Sequence, residues 1–378
     1  MHHKLTLTAL LSVSLGLTGV AHAELTPTTV KQDSLTVQEV ATGLDYPWGL
    51  AFLPDARMLV TERSGQLRVI DSKGTVGDPI KGVPDVAARG QGGLLDVVLS
   101  PGFEKDRMVY LAYAEEGEDK KMGTVVGRGV LSENADALSA FEVIFRQMPK
   151  LSTGNHFGAR MVFDRDGYLF IALGENNERS AAQDLDKLQG KVVRLNADGS
   201  IPKDNPFVDR QDARDEIWTY GQRNPQGLAL HPQTGAVWSS EHGPRGGDEV
   251  NLAEPGKNYG WPLATAGINY SGMKIPEAKG ARVEGTEPPL YEWKKSPAIS
   301  GMAFYTGDVP QWQNSVFFGA LASRDVIRLT LDGQTVTAEE RLLGERKERV
   351  RDVRVGPDGM LYVLTDDSNG KLLRVSPK

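Results

Sequence analysis

Short apolar runs separated by turns rich in Pro, Asp and Gly recur along the chain. In the first copy, residues 54–55 lead into the apolar run 58–60, and Gly65 turns into a second run at 67–70. Strands of this kind fall near positions 59, 109, 169, 237, 317 and 361. Such turns beside β-branched and aromatic runs are typical of hairpins, and spaced repeats are typical of propeller blades. The pattern predicts an all-β, six-bladed β-propeller, with a β-sandwich or two small β domains as alternatives.

Three segments depart from the repeat. The run 35–41 has no partner nearby, and we expect it to close the ring by completing the last blade, which removes a sheet edge. Residues 180–190 predict a short helix or a loop. Residues 245–300 contain more chain than a blade needs, and insertions in a propeller lie on loops where sites are built.

The N-terminal residues have the pattern of a secretory signal peptide. Lys4 precedes an apolar run at 5–20, and residues 21–23 (Ala-His-Ala) form a small-x-small cleavage signal. A membrane anchor is the alternative, but the run is short and rich in Ser, Thr and Gly. We therefore expect residues 1–23 to be removed and residues 24–378 to form one propeller domain in the periplasm.

The composition excludes several kinds of site and partner. The chain has no Cys, which excludes disulfides, thiolate metal sites and a cysteine nucleophile. Removal of residues 1–23 takes away Lys4 alone, which leaves 42 basic and 50 acidic residues and a net charge of −8. There is no basic stripe, so nucleic acid is not an expected partner. No other segment is long and apolar enough to predict a membrane span.

Two glycine-flanked loops contain the first candidate site residues. Residues 89–93 (Arg-Gly-Gln-Gly-Gly) let the backbone approach a ligand, and Gln91 offers both a donor and an acceptor. His156, within residues 154–158, lies just before an apolar strand, and a histidine there can act as a general base near neutral pH. A plain glycine-rich turn and a hydrogen-bonded turn histidine are the alternatives.

Two further loops offer planar donors and hard oxygen ligands. Arg223 beside Asn224 provides several donors for a carboxylate or for quinone oxygens. In residues 241–249, Gly and Pro turns can direct backbone carbonyls to one point beside Asp248 and Glu249. Such oxygen ligands suit calcium, although the spacing is not that of an EF-hand loop. A surface turn and a solvated acidic pair are the alternatives.

A pair of arginines near the C-terminus completes the candidate set. Arg349 and Arg351 lie two residues apart, so on a strand they face the same side. Two guanidiniums on one face favour an anion, although a salt-bridged surface strand has the same pattern. No Ser-His-Asp set, GxSxG elbow or glycosidase-like spacing of acids is visible.

Together these segments resemble the soluble, pyrroloquinoline-quinone-dependent aldose and glucose dehydrogenases over nearly the whole mature chain, and the periplasmic aldose sugar dehydrogenase branch most of all. The matching motifs, in chain order, are residues 47–52, 90–96, the segments around His156, Arg223-Asn224 and Gly243-Pro244, residues 258–262 and residues 349–352. One motif alone has little weight, whereas all of them in this order are specific. The resemblance implies a six-bladed propeller, in agreement with the repeat.

The resemblance also implies a reaction and its residues. His156 matches the base that removes the proton from the anomeric hydroxyl of an aldose, while the hydride at that carbon goes to the C5 carbonyl of the quinone and the sugar becomes a lactone. Gln91, Arg223 and Asn224 match contacts to cofactor and substrate. Arg223, with calcium, polarises the C5 carbonyl as negative charge develops on it.

Cofactor and metal contacts follow from the same resemblance. Arg349 and Arg351 match the pair that holds the carboxylates of the quinone. Gly243 and Pro244 match the residues whose backbone carbonyls bind the calcium ion of the cofactor. The family also implies a monomer and an electron acceptor that is a small cytochrome or a membrane quinone.

Two positions depart from the family pattern, and one feature is optional. Family members have a Lys after Ala-Leu in the fifth blade, whereas residues 320–324 read Ala-Leu-Ala-Ser-Arg, so Arg324 replaces that Lys or one cofactor contact is missing. Asn155 stands where the glucose-specific branch has Asp beside the base, which bears on the orientation of the base. Glu249 and Tyr259 match a second, structural calcium site.

Two other functions compete with this hypothesis. A calcium-dependent lactonase on a similar propeller needs carboxylates converging on the metal and has no use for the pair Arg349 and Arg351. A non-catalytic binding propeller has lost the cofactor, and the missing Lys favours it. The presence of His156 together with Arg223, Asn224 and the arginine pair favours an enzyme.

Overall fold

The structure, a computed structural model, describes residues 25–378. The expected signal peptide, residues 1–23, lies outside the described residues. Within them the chain forms six sheets, and the inner strands of neighbouring sheets contact one another in a closed ring. The protein is a six-bladed β-propeller, as the sequence repeat predicted.

Each blade is a sheet that contains four strands, and neighbouring strands among these four run antiparallel. Two strands precede the ring in sequence: β1 (Thr28–Thr29) and β2 (Leu35–Leu44). Blades one to three consist of β3 (Pro47–Phe52), β4 (Met58–Glu62), β5 (Gln66–Ile70), β6 (Val76–Pro79); β7 (Leu94–Leu99), β8 (Met108–Glu116), β9 (Met122–Leu131), β10 (Leu138–Arg146); and β11 (Gly158–Phe163), β12 (Leu169–Leu173), β13 (Lys191–Leu195), β14 (Ile217–Tyr220). Blades four to six consist of β15 (Pro225–Leu230), β16 (Val237–Glu241), β17 (Asp248–Leu252), β18 (Tyr291–Trp293); β19 (Ile299–Phe304), β20 (Ser315–Ala320), β21 (Val326–Asp332), β22 (Thr335–Leu342); and β23 (Val350–Val355), β24 (Leu361–Thr365), β25 (Gly370–Pro377).

The ring closes through its N-terminal strands. Strand β2 pairs antiparallel with β25, with Leu35 opposite Pro377 and Leu44 opposite Gly370, and so becomes the fourth strand of blade six. This confirms the predicted closing role of the run 35–41. Strand β1 adds to blade five in parallel with β22. Pairing both chain ends in this way covers sheet edges that would otherwise be open.

Helix is sparse in the described part of the chain. It consists of α1 (Phe103–Asp106) and five 3-10 turns: Gln32–Ser34, Glu118–Lys120, Arg179–Ala182, Pro310–Trp312 and Gly344–Arg346. Residues 180–190, predicted as a short helix or a loop, contain only the end of the third turn. The long insertion connects β17 to β18, from residue 253 to 290, as a loop. No helix among the described residues has the length and hydropathy to span a membrane.

Apolar side chains pack between neighbouring blades. Tyr110 of blade two meets Phe163 of blade three edge to face at 5.0 Å between ring centroids, and Trp238 of blade four meets Phe304 of blade five at 5.3 Å. Tyr110 and Trp238 are almost completely buried. This burial supplies the main favourable contribution to folding, in a chain that has no disulfide to help it.

A buried ionic cluster joins three blades across the centre of the ring. Arg160 on β11 places Nη1 2.9 Å from an Asp96 oxygen on β7 and 3.3 Å from an Asp352 oxygen on β23, and all three side chains are inaccessible to solvent. A Cβ at Gly301 would lie 1.9 Å from an oxygen of Asp352, so only glycine lets that carboxylate approach. The cluster fixes the inner strands on which the site residues depend.

Candidate functional site

The predicted site residues lie at one face of the ring, the mouth of the propeller. Shortly before an inner strand come Gln91, His156, Arg223, Asn224 and Arg349. Inner strands share one direction around a propeller, so the residues that precede them meet at the same face. The second strand of each blade runs the opposite way and therefore ends at this face too. At those ends lie Glu175, Glu241 and Asp366.

His156 is held by a carboxylate and by its own backbone. Its Nδ1 lies 2.6 Å from Oε2 of Glu175, which is buried. Its backbone N–H donates to Oε1 of Gln91 at 2.9 Å. Its φ of 53° is left-handed, and a Cβ on Gly174 would lie 1.9 Å from its carbonyl oxygen, so the adjacent loop must have glycine there. The ring is thus fixed, with the proton of the neutral imidazole on Nδ1.

Arg223 connects His156 to the glycine-proline turn. One of its nitrogens, Nη2, lies 3.2 Å from Nε2 of His156. Its Nη1 donates to the carbonyls of His242 at 3.1 Å and Gly243 at 2.9 Å. Its backbone N–H donates to Glu241 at 2.5 Å. Because a guanidinium can only donate, Nε2 of His156 is the acceptor, which agrees with a proton on Nδ1.

Asn224 has a structural contact in this arrangement. Its Oδ1 accepts a hydrogen bond from the backbone N–H of Gly158 at 3.1 Å, and the residue is 1% exposed. The bond ties the start of β15 to the start of β11. A contact from Asn224 to the cofactor remains a prediction.

The other histidines of the described chain are less suited to be a base. His231 packs against Trp238 and Phe304, with ring centroids 5.7 and 4.8 Å away. Burial first, and then the charge of Arg223, lower the pKa of His242 to about 3, and its Nε2 is shielded from solvent without a hydrogen-bond partner. His156, whose side chain is 11% exposed and faces the mouth, is therefore the histidine best placed for proton transfer.

Arg349 and Arg351 converge on one carboxylate of the chain itself, that of Asp366. Nε of Arg349 lies 2.9 Å from one oxygen of Asp366, and Nη2 of Arg351 lies 3.1 Å from the other. Burial raises the pKa of Asp366, but the two guanidiniums outweigh it and hold that pKa below its usual value. Arg351 also donates to Oε1 of Gln226 at 2.8 Å. Arg349, Arg351 and Asp366 together form the arginine corner. Its two positive charges and one negative charge give it a net positive charge.

The turn that contains Arg324 lies beside this pair. Nη1 of Arg349 donates to the carbonyl of Leu321 at 3.1 Å, and the backbone N–H groups of Ala322 and Ser323 bind Pro297. Arg324 itself is exposed with a φ of 60°. The replaced family position is therefore close to the arginine pair in space.

A cavity lies beside Arg223. Its lining residues are Arg223, Glu241, His242, Gly243, Gly247, Glu249, Tyr259, Trp261, Ala264 and Thr265. Glu241 and Glu249 are opposite each other in the pairing of β16 with β17. Burial raises the pKa of Glu241 to about 7, and burial followed by repulsion from Glu241 raises the pKa of Glu249 well above its usual range.

The two proposed calcium ligand sets differ in what they offer. Gly243 presents its carbonyl to a cationic group, the guanidinium of Arg223, and Asp248 holds the turn by accepting the Gly243 N–H at 3.0 Å. Tyr259 donates its hydroxyl to the carbonyl of Leu252 and accepts the backbone N–H of Glu254. No three His, Asp or Glu side chains within residues 25–378 are grouped as a metal site.

The family model described as "Glucose / Sorbosone dehydrogenase" matches residues 44–374. The chain belongs to the glucose/sorbosone dehydrogenase family. Aldose sugar dehydrogenase YliI of Escherichia coli (strain K12) is 60% identical over 347 residues, which cover 91% of this chain and 94% of that protein.

Solved structures of this family are similar over most of the chain. The soluble aldose sugar dehydrogenase of Escherichia coli, in its apo-form, superposes with a TM-score of 0.90 at 59% identity, and the match covers 91% of this chain and all of that one (100%). The PQQ-bound aldose sugar dehydrogenase of Streptomyces coelicolor gives a TM-score of 0.75 at 30% identity, covering 90% of this chain and 98% of that one.

Three site residues of this family member were not singled out from the sequence: Glu175, Asp366 and Trp261. The first two follow the second strand of a blade, in the segments Gly174-Glu175-Asn176 and Thr365-Asp366-Asp367. An acidic residue just after the second strand of a blade is a sequence signal, and an alignment of the blades with one another reveals it. Trp261, whose ring centroid lies 5.4 Å from the guanidinium carbon of Arg223, belongs to the long insertion and has no repeat position.

Proposed function

We propose that the protein oxidises aldose sugars at the anomeric carbon to lactones, with pyrroloquinoline quinone and calcium as cofactors. The observation that carries the proposal is the Glu175–His156–Arg223 chain at the propeller mouth. When bound, the quinone would accept the hydride and calcium would polarise the accepting carbonyl. The remaining work, which is to bind, orient and move a proton, falls to residues of this chain.

His156 is the general base in this proposal. With its proton on Nδ1 beside Glu175, the imidazole has its lone pair on Nε2, directed towards Arg223 and the mouth. The ionised Glu175 stabilises the imidazolium that forms when Nε2 takes the proton of the anomeric hydroxyl. Gln91, whose Oε1 binds the His156 backbone, keeps the base at the mouth and leaves its own amide group for ligand.

The arginine corner fits the anionic cofactor. Arg349 and Arg351 share the single carboxylate of Asp366, so their charge is only half offset. The side chain of Arg349 is 44% exposed, which leaves its donors accessible from the mouth. A polycarboxylate quinone would supply the missing negative charge through charge-assisted hydrogen bonds. The exposed Arg324, close to Arg349, is the residue that would replace the Lys of the family.

The carbonyl turn fits the first calcium ion. The carbonyl of Gly243 already accepts a hydrogen bond from a cationic side chain, that of Arg223, which also contacts the base His156. Pro244 follows Gly243 in the same turn. Hard oxygen donors from a tight turn are suitable calcium ligands. For a second calcium, the buried carboxyls of Glu249 and Glu241 lie opposite each other, and a bound cation would favour their ionised forms; Tyr259 lines the same cavity.

The relatives support this reading over its competitors. A lactonase has no role for the arginine corner, and a binding propeller has none for a carboxylate-oriented histidine. The relative named aldose sugar dehydrogenase is 60% identical, and a structural relative is described as PQQ-bound. We propose further that the chain is exported to the periplasm with cleavage of its signal peptide, acts as a monomer, and passes electrons to a cytochrome or a quinone.

Reconstitution tests the proposal. The mature chain, residues 24–378, is purified without cofactor, then supplied with pyrroloquinoline quinone and calcium, and dye reduction is followed with glucose, other aldoses and disaccharides. Controls omit the quinone or add a chelator. We expect activity that requires both additions. Absence of both activity and quinone binding would reject the quinoprotein and favour a lactonase or a binding propeller.

A further inference from the structure

Arg223 contacts both the proposed general base and a proposed calcium ligand. Through Nη2 it contacts Nε2 of His156, the nitrogen that must accept the substrate proton. Through Nη1 it binds the carbonyl of Gly243, which is a proposed calcium ligand, and that of His242. The residue is 6% exposed, so water does not compete effectively for these acceptors.

We infer that Arg223 acts as a substitute cation in the cofactor-free protein: it occupies the Gly243 carbonyl and caps the base His156, and calcium loading releases both. The inference rests on the proposed function, because it takes calcium to bind that carbonyl. It assigns Arg223 a role in coupling metal loading to exposure of the base.

The distances make the two cations compete for the carbonyl. Nη1 of Arg223 lies 2.9 Å from the oxygen of Gly243, whereas calcium binds oxygen at about 2.3–2.6 Å. A guanidinium and a divalent ion on one carbonyl oxygen would be only a few ångströms apart and would repel each other. The guanidinium must therefore withdraw from Gly243 when calcium binds.

The rigidity of the guanidinium links this withdrawal to the base. Its nitrogens lie in one plane, so a movement that takes Nη1 away from Gly243 also turns the N–H groups of Nη2 relative to Nε2 of His156. The backbone of Arg223 stays in place, because its N–H is bound to Glu241 at 2.5 Å. The guanidinium carbon already lies 5.4 Å from the centroid of the Trp261 ring, so this cation–π contact is present before the guanidinium moves. Nε2 of His156 is then free for the anomeric hydroxyl.

Calcium affinity without quinone provides the first test. Titration calorimetry with calcium chloride alone is carried out on the mature wild-type chain and on Arg223→Lys, Arg223→Met and Arg245→Met. Lysine keeps the charge but lacks the forked pair of nitrogens, so it cannot hold Gly243 and His156 together. We expect Arg223→Lys to bind calcium at least tenfold more tightly than wild type. Arg245, exposed and next to Pro244, is the control for loss of a nearby charge.

The outcomes separate the inference from the proposed function. The inference would be wrong if Arg223→Lys bound calcium no more tightly than wild type and Arg223→Met gained no more calcium affinity than Arg245→Met. Those results would mean that only the loss of a positive charge affects calcium binding. If neither wild type nor any variant binds calcium, with or without quinone, the calcium assignment in the proposed function fails and the inference falls with it.

The state of the histidine gives a second, independent readout. In ¹⁵N-histidine-labelled protein at a constant pH, calcium should shift the Nε2 resonance of His156 as the guanidinium leaves. The Arg223→Lys variant should already have the shifted resonance before calcium is added. A purely structural role for Arg223 would give no calcium-dependent shift at this nitrogen, and that result would overturn the coupling. His156→Gln identifies the resonance.

Discussion

Nδ1 of His156 lies 2.6 Å from Oε2 of Glu175, and this contact determines which nitrogen faces the mouth. Glu175 is 1% exposed and also accepts the backbone N–H of Asn177 at 3.1 Å, so its carboxylate has a fixed direction. Asn155, the departure from the glucose-specific branch, leaves this orientation to Glu175. Its own contact here is a backbone one, in which its carbonyl accepts from Asn176 at 3.2 Å.

The Glu175→Gln substitution should therefore damage catalysis without removing the base. The amide cannot stabilise the imidazolium and can reverse the tautomer of His156, so we expect turnover to fall at least about 100-fold. Steady-state kinetics of the reconstituted enzyme measure the effect, and quinone affinity should be unchanged. Glu178→Gln, at an exposed position three residues later, is the matched control and should keep wild-type turnover. Equal losses in both variants would mean that the loop, and not the carboxylate, matters.

Replacement of the base itself should separate chemistry from binding. In His156→Ala we expect turnover to be lost, by about 10²- to 10⁴-fold or more, because proton abstraction has no acceptor. The absorbance of the bound quinone should persist, since the proposed cofactor contacts are the arginines. Loss of quinone binding in this variant would instead identify His156 as a cofactor ligand.

Much of the fold follows from local sequence patterns. The turn-strand repeat predicts each blade, because hairpins need only neighbouring residues, and the unpaired run 35–41 predicts the closure with β25. The short added strand β1 had no such signal, since its two residues pair in parallel with β22 some three hundred positions later. Pairing across that separation depends on the closed ring rather than on local pattern.

The site was predictable where loops precede inner strands and less so elsewhere. Gln91, His156 and Arg223 lie in glycine-rich segments that stand out in the sequence. Glu175 and Asp366 do not, because a single acidic residue after a strand looks like any solvated turn until the ring brings it to a partner. The contact between Arg223 and His156 joins residues 67 positions apart, and only the assembled blades produce it.

The arginine corner should determine cofactor affinity. Arg351→Ala removes a buried cation that is oriented by Asp366 and Gln226, so we expect quinone binding to weaken about 10- to 100-fold, which corresponds to the loss of charged hydrogen bonds. Fluorescence titration with quinone measures it. Arg346→Ala, whose side chain pairs with Glu39, serves as the control. An unchanged affinity for Arg351→Ala would remove this residue from the site.

The ionic cluster at the ring centre should dominate stability. Arg160→Met removes the cation between Asp96 and Asp352, and these buried carboxylates keep only their ion pairs with the partly buried Arg354. We expect this to cost about 3–5 kcal/mol of unfolding free energy. Urea denaturation followed by tryptophan fluorescence measures the loss. Arg57→Met removes the exposed pair with Asp55 and should cost less than about 1 kcal/mol. Similar losses of unfolding free energy in the two variants would contradict a dominant contribution of the ionic cluster to stability.

Lys191 should make stability depend on alkaline pH. Its Nζ donates to the carbonyls of Ala181, Ala182 and Gln189 at 2.9, 3.1 and 2.7 Å, beneath the loop that begins at Glu175. Burial lowers the pKa of Lys191 to about 7, against 10.5 when the chain is unfolded. Between these values the unfolded state binds more protons, so the unfolding free energy should rise with pH.

The Lys191→Met variant isolates this dependence. It cannot titrate, so from pH 7.5 to 9.5 wild type should gain stability relative to it by up to about 1.4 kcal/mol per pH unit. Because the three carbonyls lose their donor, we expect the variant to be less stable than wild type throughout this pH range. Only the slope of the stability difference against pH reports the titration of Lys191. Urea denaturation at several pH values gives both curves. Parallel curves would show that the three carbonyls keep Lys191 protonated in the folded protein, so that it acts as a fixed internal cation holding the loop of Glu175.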